Sequence, residues 1–199
     1  MDRIIKYLKK NGGYARMKDF RAESFHPRDV ARLLENGTIE KVKPGLYKLP
    51  DIKTSAGNDM SLVDACHAVP QGVICLVSAI SFYELITFNP SEIFVAIPHA
   101  WKPHRIKYPP IRFFYFRDRF HKPGMIRLYT KGGSIRIYSK EKTICDMFRY
   151  RNKLGIDLAL EGLRNYLKLK DANIRKLREY AEICQVKTVM LPYVKAIVG

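Results

Sequence analysis

The stretch His26-Pro27-Arg28-Asp29-Val30-Ala31-Arg32-Leu33-Leu34-Glu35-Asn36-Gly37, continued by Thr38-Ile39-Glu40-Lys41-Val42-Lys43-Pro44-Gly45-Leu46-Tyr47-Lys48-Leu49, decides how this chain is read. Proline at the first helical position and Asn-Gly at the end frame one helix. Val30, Leu33 and Leu34 form its apolar stripe. At about 100° per residue, Arg28, Arg32 and Glu35 fall about 160°, 200° and 140° from Val30, on the opposite face. Ile39 to Val42 and Leu46 to Leu49 read as two strands. Lys43-Pro44-Gly45 joins them, and Pro-Gly suits the centre of a type II turn, where glycine supplies the positive φ.

Upstream, Ile4, Ile5 and Leu8 sit at helical spacing until Asn11-Gly12-Gly13 stops them, and a short helix is expected from Arg16 to Ala22 with Met17 and Phe20 inward. Three helices and a basic-tipped hairpin in about 50 residues is the plan of a winged helix-turn-helix, whose third helix fits the major groove of duplex DNA. The residues expected to touch DNA are Arg16 and Lys18 on the second helix, His26, Arg28 and Arg32 on the third, and Lys41, Lys43 and Lys48 on the wing. The wing lysines would grip phosphates, which positions a module without reading sequence.

Pro50 to Asn58 lacks periodicity. Beyond it come a helix from Met60 to Ala68, a short buried strand at Val73 to Leu76, a helix from Ser78 to Leu85, and strands at Ile93 to Ile97 and Ile111 to Phe116. Ile126 to Tyr129 and Ser134 to Tyr138 pair as a hairpin. Ser139 caps a helix running to about Lys153 and ended by Gly155, Asp157 and Asp171 cap two more, and Thr188 to Ile197 forms a last one. The expected class is α+β (mixed α/β). A winged helix-turn-helix (1–50) and a linker (51–58) precede a larger α/β domain (59–199) with a mixed sheet, a basic surface and a C-terminal helical portion.

The chain has 199 residues, 36 Lys+Arg against 19 Asp+Glu and a net charge of +17. This charge is localised. Residues 1–53 carry +6, residues 54–98 carry −4 with no Lys or Arg, residues 99–153 carry +12 and residues 154–199 carry +3. Basic blocks flanking an acidic one point to a polyanionic partner, because each phosphate contact releases condensed counterions. No apolar run approaches the ~20 residues that span a bilayer, and the N-terminus has no apolar signal core, so no membrane partner is expected. Four scattered cysteines without a CxxC suggest reduced thiols and a cytoplasmic protein.

No metal site, cofactor or catalytic centre is expected. The five histidines form no ligand pair on a helix face, and Cys145 falls within an amphipathic helix as a core residue. Gly132-Gly133-Ser134 resembles the Gly-Ser turn of nucleotidyltransferases, but Arg136 and Lys140 stand where that chemistry needs paired carboxylates. The acids of the basic block, Asp118, Glu141 and Asp146, fit no nuclease spacing. From Trp101 to Tyr138, basic and aromatic residues interleave; Lys102, Arg105, Lys107, Arg112, Arg117 and Arg119 are candidates for a second polyanion surface, with aromatic rings either in the core or available to stack on bases.

The chain resembles the AbiEi-type antitoxins of bacterial abortive-infection (type IV) toxin–antitoxin systems along nearly its whole length. The resemblance rests on Val42-Lys43-Pro44-Gly45-Leu46-Tyr47, on SAISFYELITFNPSEIFVAIP from Ser78 to Pro98, and on YSKEKTICDMFRYRNKLGIDLALEGLRNYL from Tyr138 to Leu167. It implies a non-enzymatic autorepressor whose N-terminal domain binds promoter inverted repeats in double-stranded DNA, with cooperating copies. It also implies that residues 59–199 are an antitoxin domain counteracting a co-encoded nucleotidyltransferase-like toxin, with or without direct contact. The alternatives are a nucleic-acid-processing enzyme with a helix-turn-helix targeting domain, and a plain transcriptional regulator without a toxin.

Overall fold

Each apolar stripe in residues 2–50 is too small to be covered by its own helix, so three short helices and a small sheet close over one another. The computed structural model describes residues 2–50, 57–103, 106, 108–130 and 133–198. Helix α1 (Asp2–Lys10), strand β1 (Tyr14–Arg16), α2 (Met17–Ala22), α3 (Pro27–Glu35), β2 (Glu40–Lys43) and β3 (Leu46–Lys48) follow in order. The strands form an antiparallel sheet in the order β1-β3-β2. Ile4, Leu8, Phe20, Val30, Leu33 and Tyr47 are buried together; full burial of such a side chain is worth roughly 1.5–3 kcal/mol. Pro27 stands at the first position of α3, as the sequence predicts, and His26 at its cap. Gly45, at φ 76°, makes the turn between β2 and β3. β1 was not foreseen; three residues are too few to show alternation.

Residues 57–198 build a mixed sheet with helices around it. Helix α4 (Gly57–Ala68) leads to β4 (Val73–Ile74), α5 (Leu76–Phe82), β5 (Ile93–Pro98), β6 (Ile111–Phe116), α6 (Asp118–His121), β7 (Met125–Thr130) and β8 (Gly133–Tyr138). Helices α7 (Lys140–Arg149), α8 (Arg151–Leu154), α9 (Ile156–Leu167), α10 (Ile174–Ile183) and α11 (Lys187–Val198) complete it. The strand order is β6-β5-β4-β8-β7, with β5 parallel to β6, β4 parallel to β8 and the other pairs antiparallel. Alternation sorts the side chains: Ile93, Val95, Ile97, Ile135 and Ile137 pack with α4 residues Leu62, Val63 and Cys66, while Phe94, Ala96, Phe116 and Tyr138 pack with α5, α7, α9 and α10.

Helix boundaries correct three expectations. The helix from Ser139 breaks at Tyr150 into α7 and α8, and Gly155, at φ 89°, occupies the cap of α9, leaving Asp157 in its first turn. Asn173, not Asp171, caps α10 by accepting from the Lys176 amide at 2.9 Å; Asp171 is drawn to Lys140 at 2.7 Å. Residues 51–56 of the expected linker lie outside the described residues, and its last two residues, 57 and 58, already belong to α4.

The two long segments of the resemblance meet each other. The Tyr83 hydroxyl donates to the Tyr138 carbonyl at 2.8 Å, the Thr87 amide to Glu161 Oε1 at 2.8 Å and Asn165 Nδ2 to the Leu85 carbonyl at 3.0 Å. Under this clamp, Lys142 and Asp146, both 0% exposed, form an ion pair one turn apart on α7. Tyr138's ring lies 4.3 Å from Lys142 Nζ, and Cys184 Sγ donates to Asp146 Oδ1 at 3.5 Å. Burial pushes the Asp146 carboxyl above its ordinary range, with Lys142 opposing. Removing one partner strands a buried charge, whereas removing both does not. Asp146→Ala should therefore lower unfolding free energy by about 3–5 kcal/mol in urea titration, and Lys142→Met with Asp146→Leu should restore most of it. A double variant as unstable as the single one would show that the charge is not what the core accommodates.

Candidate nucleic-acid interface

Helix α3 is one-sided. Val30 and Leu33 are buried, while Arg28, Asp29, Arg32 and Glu35 are exposed. His26 is exposed too, but its Nδ1 accepts from the Arg28 amide at 3.1 Å, so the ring serves as the helix cap. Lys18 on α2 and Lys41 on β2 are exposed; Lys43 ends β2 at the hairpin, and its side chain lies outside the described residues. Among the described residues Arg28, Arg32, Lys18 and Lys41 thus have no ion-pair partner, and the two arginines stand one turn apart on the exposed face of the helix.

Arg16 and Lys48 do not join them. β3 is the central strand of the small sheet, and Leu46 and Lys48 share the face turned toward α4, which corrects the expectation that Lys48 points outward on the wing. Lys48 is only 11% exposed and donates to Asp64 Oδ2 at 3.1 Å, with Glu40 at 3.6 Å. Tyr14, opposite Lys48 in register on β1, donates its hydroxyl to Asp64 Oδ1 at 2.7 Å. Arg16 Nη2 donates to the His67 carbonyl at 3.3 Å while its amide is capped by Asp19. The Tyr14 and His67 rings stack at 4.2 Å. These two cations hold residues 2–50 against α4.

The electrostatics of this seam follow from burial. Tyr14's hydroxyl is raised far above its ordinary range by burial and then by Asp64. Burial alone would lower Lys48, but the Asp64 charge and hydrogen bond more than offset it and carry the ammonium up. Asp64, Tyr14 and His67 were missed in the sequence. The available signal was a lone carboxylate inside Leu62-Val63-Asp64-Ala65-Cys66, which cannot be buried without partners.

The second basic block is divided. Lys102, Arg112, Arg117 and Arg119 are exposed; Arg105 and Lys107 lie outside the described residues. Arg112 lies over Phe94 and Phe114 at 5.6 and 5.9 Å, and Arg119 over Phe120 at 4.5 Å. Phe116 and Phe120 are core, whereas Tyr108, Tyr115 on edge strand β6 and Tyr129 are exposed. Arg136 donates to the Cys66, Val69 and Gly72 carbonyls and so finishes the end of α4. The block's acids do not converge: Asp118 pairs with Lys122, Glu141 accepts from Tyr166 and Asp146 is buried with Lys142. Among the described residues no three His, Cys, Asp or Glu side chains are placed to hold a metal, and no helix is long and apolar enough to cross a membrane.

Residues 2–50 match the family described as "Transcriptional regulator, AbiEi antitoxin". A search of curated proteins gave no match to the chain. The match supports an antitoxin or regulator role and covers the segment that carries α3.

His67 gives the seam a pH dependence. Burial first, then Arg16, lowers its pKa, with Asp64 opposing and Arg136 adding to the fall. The unfolded chain therefore takes the proton first, near pH 6.5, and stability falls as pH drops through that value. His121, also lowered by burial, acts with the same sign. Unfolding free energy should decline between about pH 7 and pH 5.5, and less steeply in His67→Gln. Identical slopes would take His67 out of the seam's energetics.

Proposed function

We propose that this chain is a DNA-binding antitoxin of a type IV toxin–antitoxin system that represses its own operon. In this reading residues 1–50 are a winged helix-turn-helix and residues 59–199 the antitoxin domain. The observation that carries it is α3: an amphipathic helix with Arg28 and Arg32 free on its solvent face, followed by the β2–β3 hairpin, in the segment that matches the antitoxin regulator family. A helix of this kind fits the major groove, and arginine is the commonest reader of guanine there. Lys18 and Lys41 supply phosphate contacts beside it, and His26 presents the helix N-terminus. The partner is double-stranded DNA carrying promoter inverted repeats, bound by cooperating copies. The co-encoded toxin is opposed through the larger domain. Lys102, Arg112, Arg117 and Arg119 form a second polyanion surface that adds salt-dependent affinity.

Base reading and backbone grip separate by mutation. Arg28→Ala and Arg32→Ala should each weaken binding to the upstream promoter fragment by about 1–3 kcal/mol while changing random-sequence binding less. Lys41→Ala should weaken both DNAs alike and reduce the slope of log affinity against log salt by about one. Electrophoretic shifts across a salt series read both. Equal losses on the two DNAs for all three variants would remove base recognition from α3.

A further inference from the structure

Arg149, in the last turn of α7, is built unlike the structural arginines of this fold. Its guanidinium carbon lies 3.3 Å from the centroid of the Phe120 ring, with Phe116 at 5.8 Å and Tyr150 at 5.7 Å. Its Nη1 is buried and has no hydrogen-bond partner. Asp146, one turn earlier, attracts Arg149 electrostatically but makes no hydrogen bond to it; its two oxygens accept from Lys142 and Cys184. Arg119 lies over the same Phe120 ring at 4.5 Å, and Asp118 beside it is paired with Lys122 at 2.8 Å. No carboxylate pairs with either guanidinium among the described residues. Arg136 shows the contrast: it spends its donors on three backbone carbonyls.

Two guanidinium groups referenced to one ring, one of them carrying an orphaned buried donor, call for an acceptor from outside the chain. A buried donor without a partner is costly, and a guanidinium held flat on an aromatic ring keeps its N–H edges oriented. A phosphate group suits both features. Its several oxygens can serve two guanidinium forks at once, and its charge offsets a region of net +12. A carboxylate has fewer acceptor positions for the same task. We propose that Arg149 and Arg119, set against Phe120 where α6 meets α7, form a discrete phosphate-binding site that takes one phosphate group of a nucleotide or of a nucleic-acid strand. The proposal deepens the reading of a second polyanion surface and rests on it, but it adds stoichiometry and a residue, Arg149, that this surface did not include.

The test follows the arginine Nε–H resonances of the full chain while inorganic phosphate, a nucleoside triphosphate or a 5′-phosphorylated single-stranded oligonucleotide is added. The Arg149 and Arg119 signals should shift together and saturate at one equivalent. Arg149→Lys, which keeps the charge but loses the planar fork, and Arg119→Ala, at an exposed position, should each weaken binding by about tenfold or more. Arg28→Ala should leave it unchanged. Saturation by the triphosphate assigns the site to a free nucleotide, and saturation by the oligonucleotide alone assigns it to a strand; either sustains the site. Non-saturating shifts spread over all exposed arginines, or unchanged binding in both variants, would overturn it. Failure of the broader surface reads differently: replacing Lys102, Arg112 and Arg117 together by alanine would then leave duplex affinity and its salt slope untouched.

Discussion

The carboxylate of Asp64 is the constraint on which the arrangement depends. It is 1% exposed, and a buried carboxylate is tolerable only when its oxygens are served. Tyr14 and Lys48 serve one oxygen each, from directly opposed positions on adjacent strands. The partners come together only when the small sheet is paired in register and seated on α4. The interaction is therefore conditional on the whole arrangement and gives specificity more than net stability, since ion-pair attraction and desolvation largely cancel. Around it, Val42 and Leu46 of the hairpin share a buried cluster with Leu62, Val63 and Cys66 of α4, so apolar contact contributes the attraction and Asp64 selects the orientation.

Seating the small sheet through this face leaves α3 free. Val30 and Leu33 point into the core of residues 2–50, and the opposite face meets solvent. The positive charges consequently divide by what their heads touch. Arg16, Lys48, Arg136 and Lys142 are occupied by carbonyls or carboxylates and hold the fold together. Arg112, Arg119 and Arg149 lie on aromatic rings, which orient a guanidinium without neutralising it. Arg28, Arg32, Lys18 and Lys41 stand in water. A net charge of +17 thus overstates the cationic surface in some places and conceals organised cation sites in others.

The amphipathic patterns were legible because period and punctuation agree. Pro27 and Gly37 bound α3, Pro44-Gly45 makes the hairpin turn, and Ile93 to Ile97, Ile111 to Phe116 and Ser134 to Tyr138 read as strands. The illegible part consists of choices between equivalent local options. Asp157, Gly155, Asp171 and Asn173 are all plausible helix-terminal residues, and tertiary competition decided: Lys140 drew Asp171 away and left the cap to Asn173. Lys48 alternates with Tyr47 as a wing lysine should, but which face of β3 meets solvent depends on β1, a strand of three residues, and on α4. Arg149 was passed over for the same reason. Its sequence neighbours describe a helix end, and only the fold brings Phe120 beneath it.

A module fixed by Asp64 behaves differently from one on a tether. With a flexible connection, a second cationic surface on the same chain raises affinity through an effective concentration set by linker length. Here the distance from α3 to β6 and α6 is set by the seam, because Tyr14, Lys48 and Arg16 each bond to α4, the helix that packs on the same sheet. On the proposed reading, a nucleic acid held at α3 would therefore meet the second surface at one separation or not at all. Where its path matched that separation, the second set of contacts would form without further ordering entropy. Any change that loosens Asp64 would exchange this geometric selectivity for reach, weakening the discrimination between phosphate paths even while every cation remained in place.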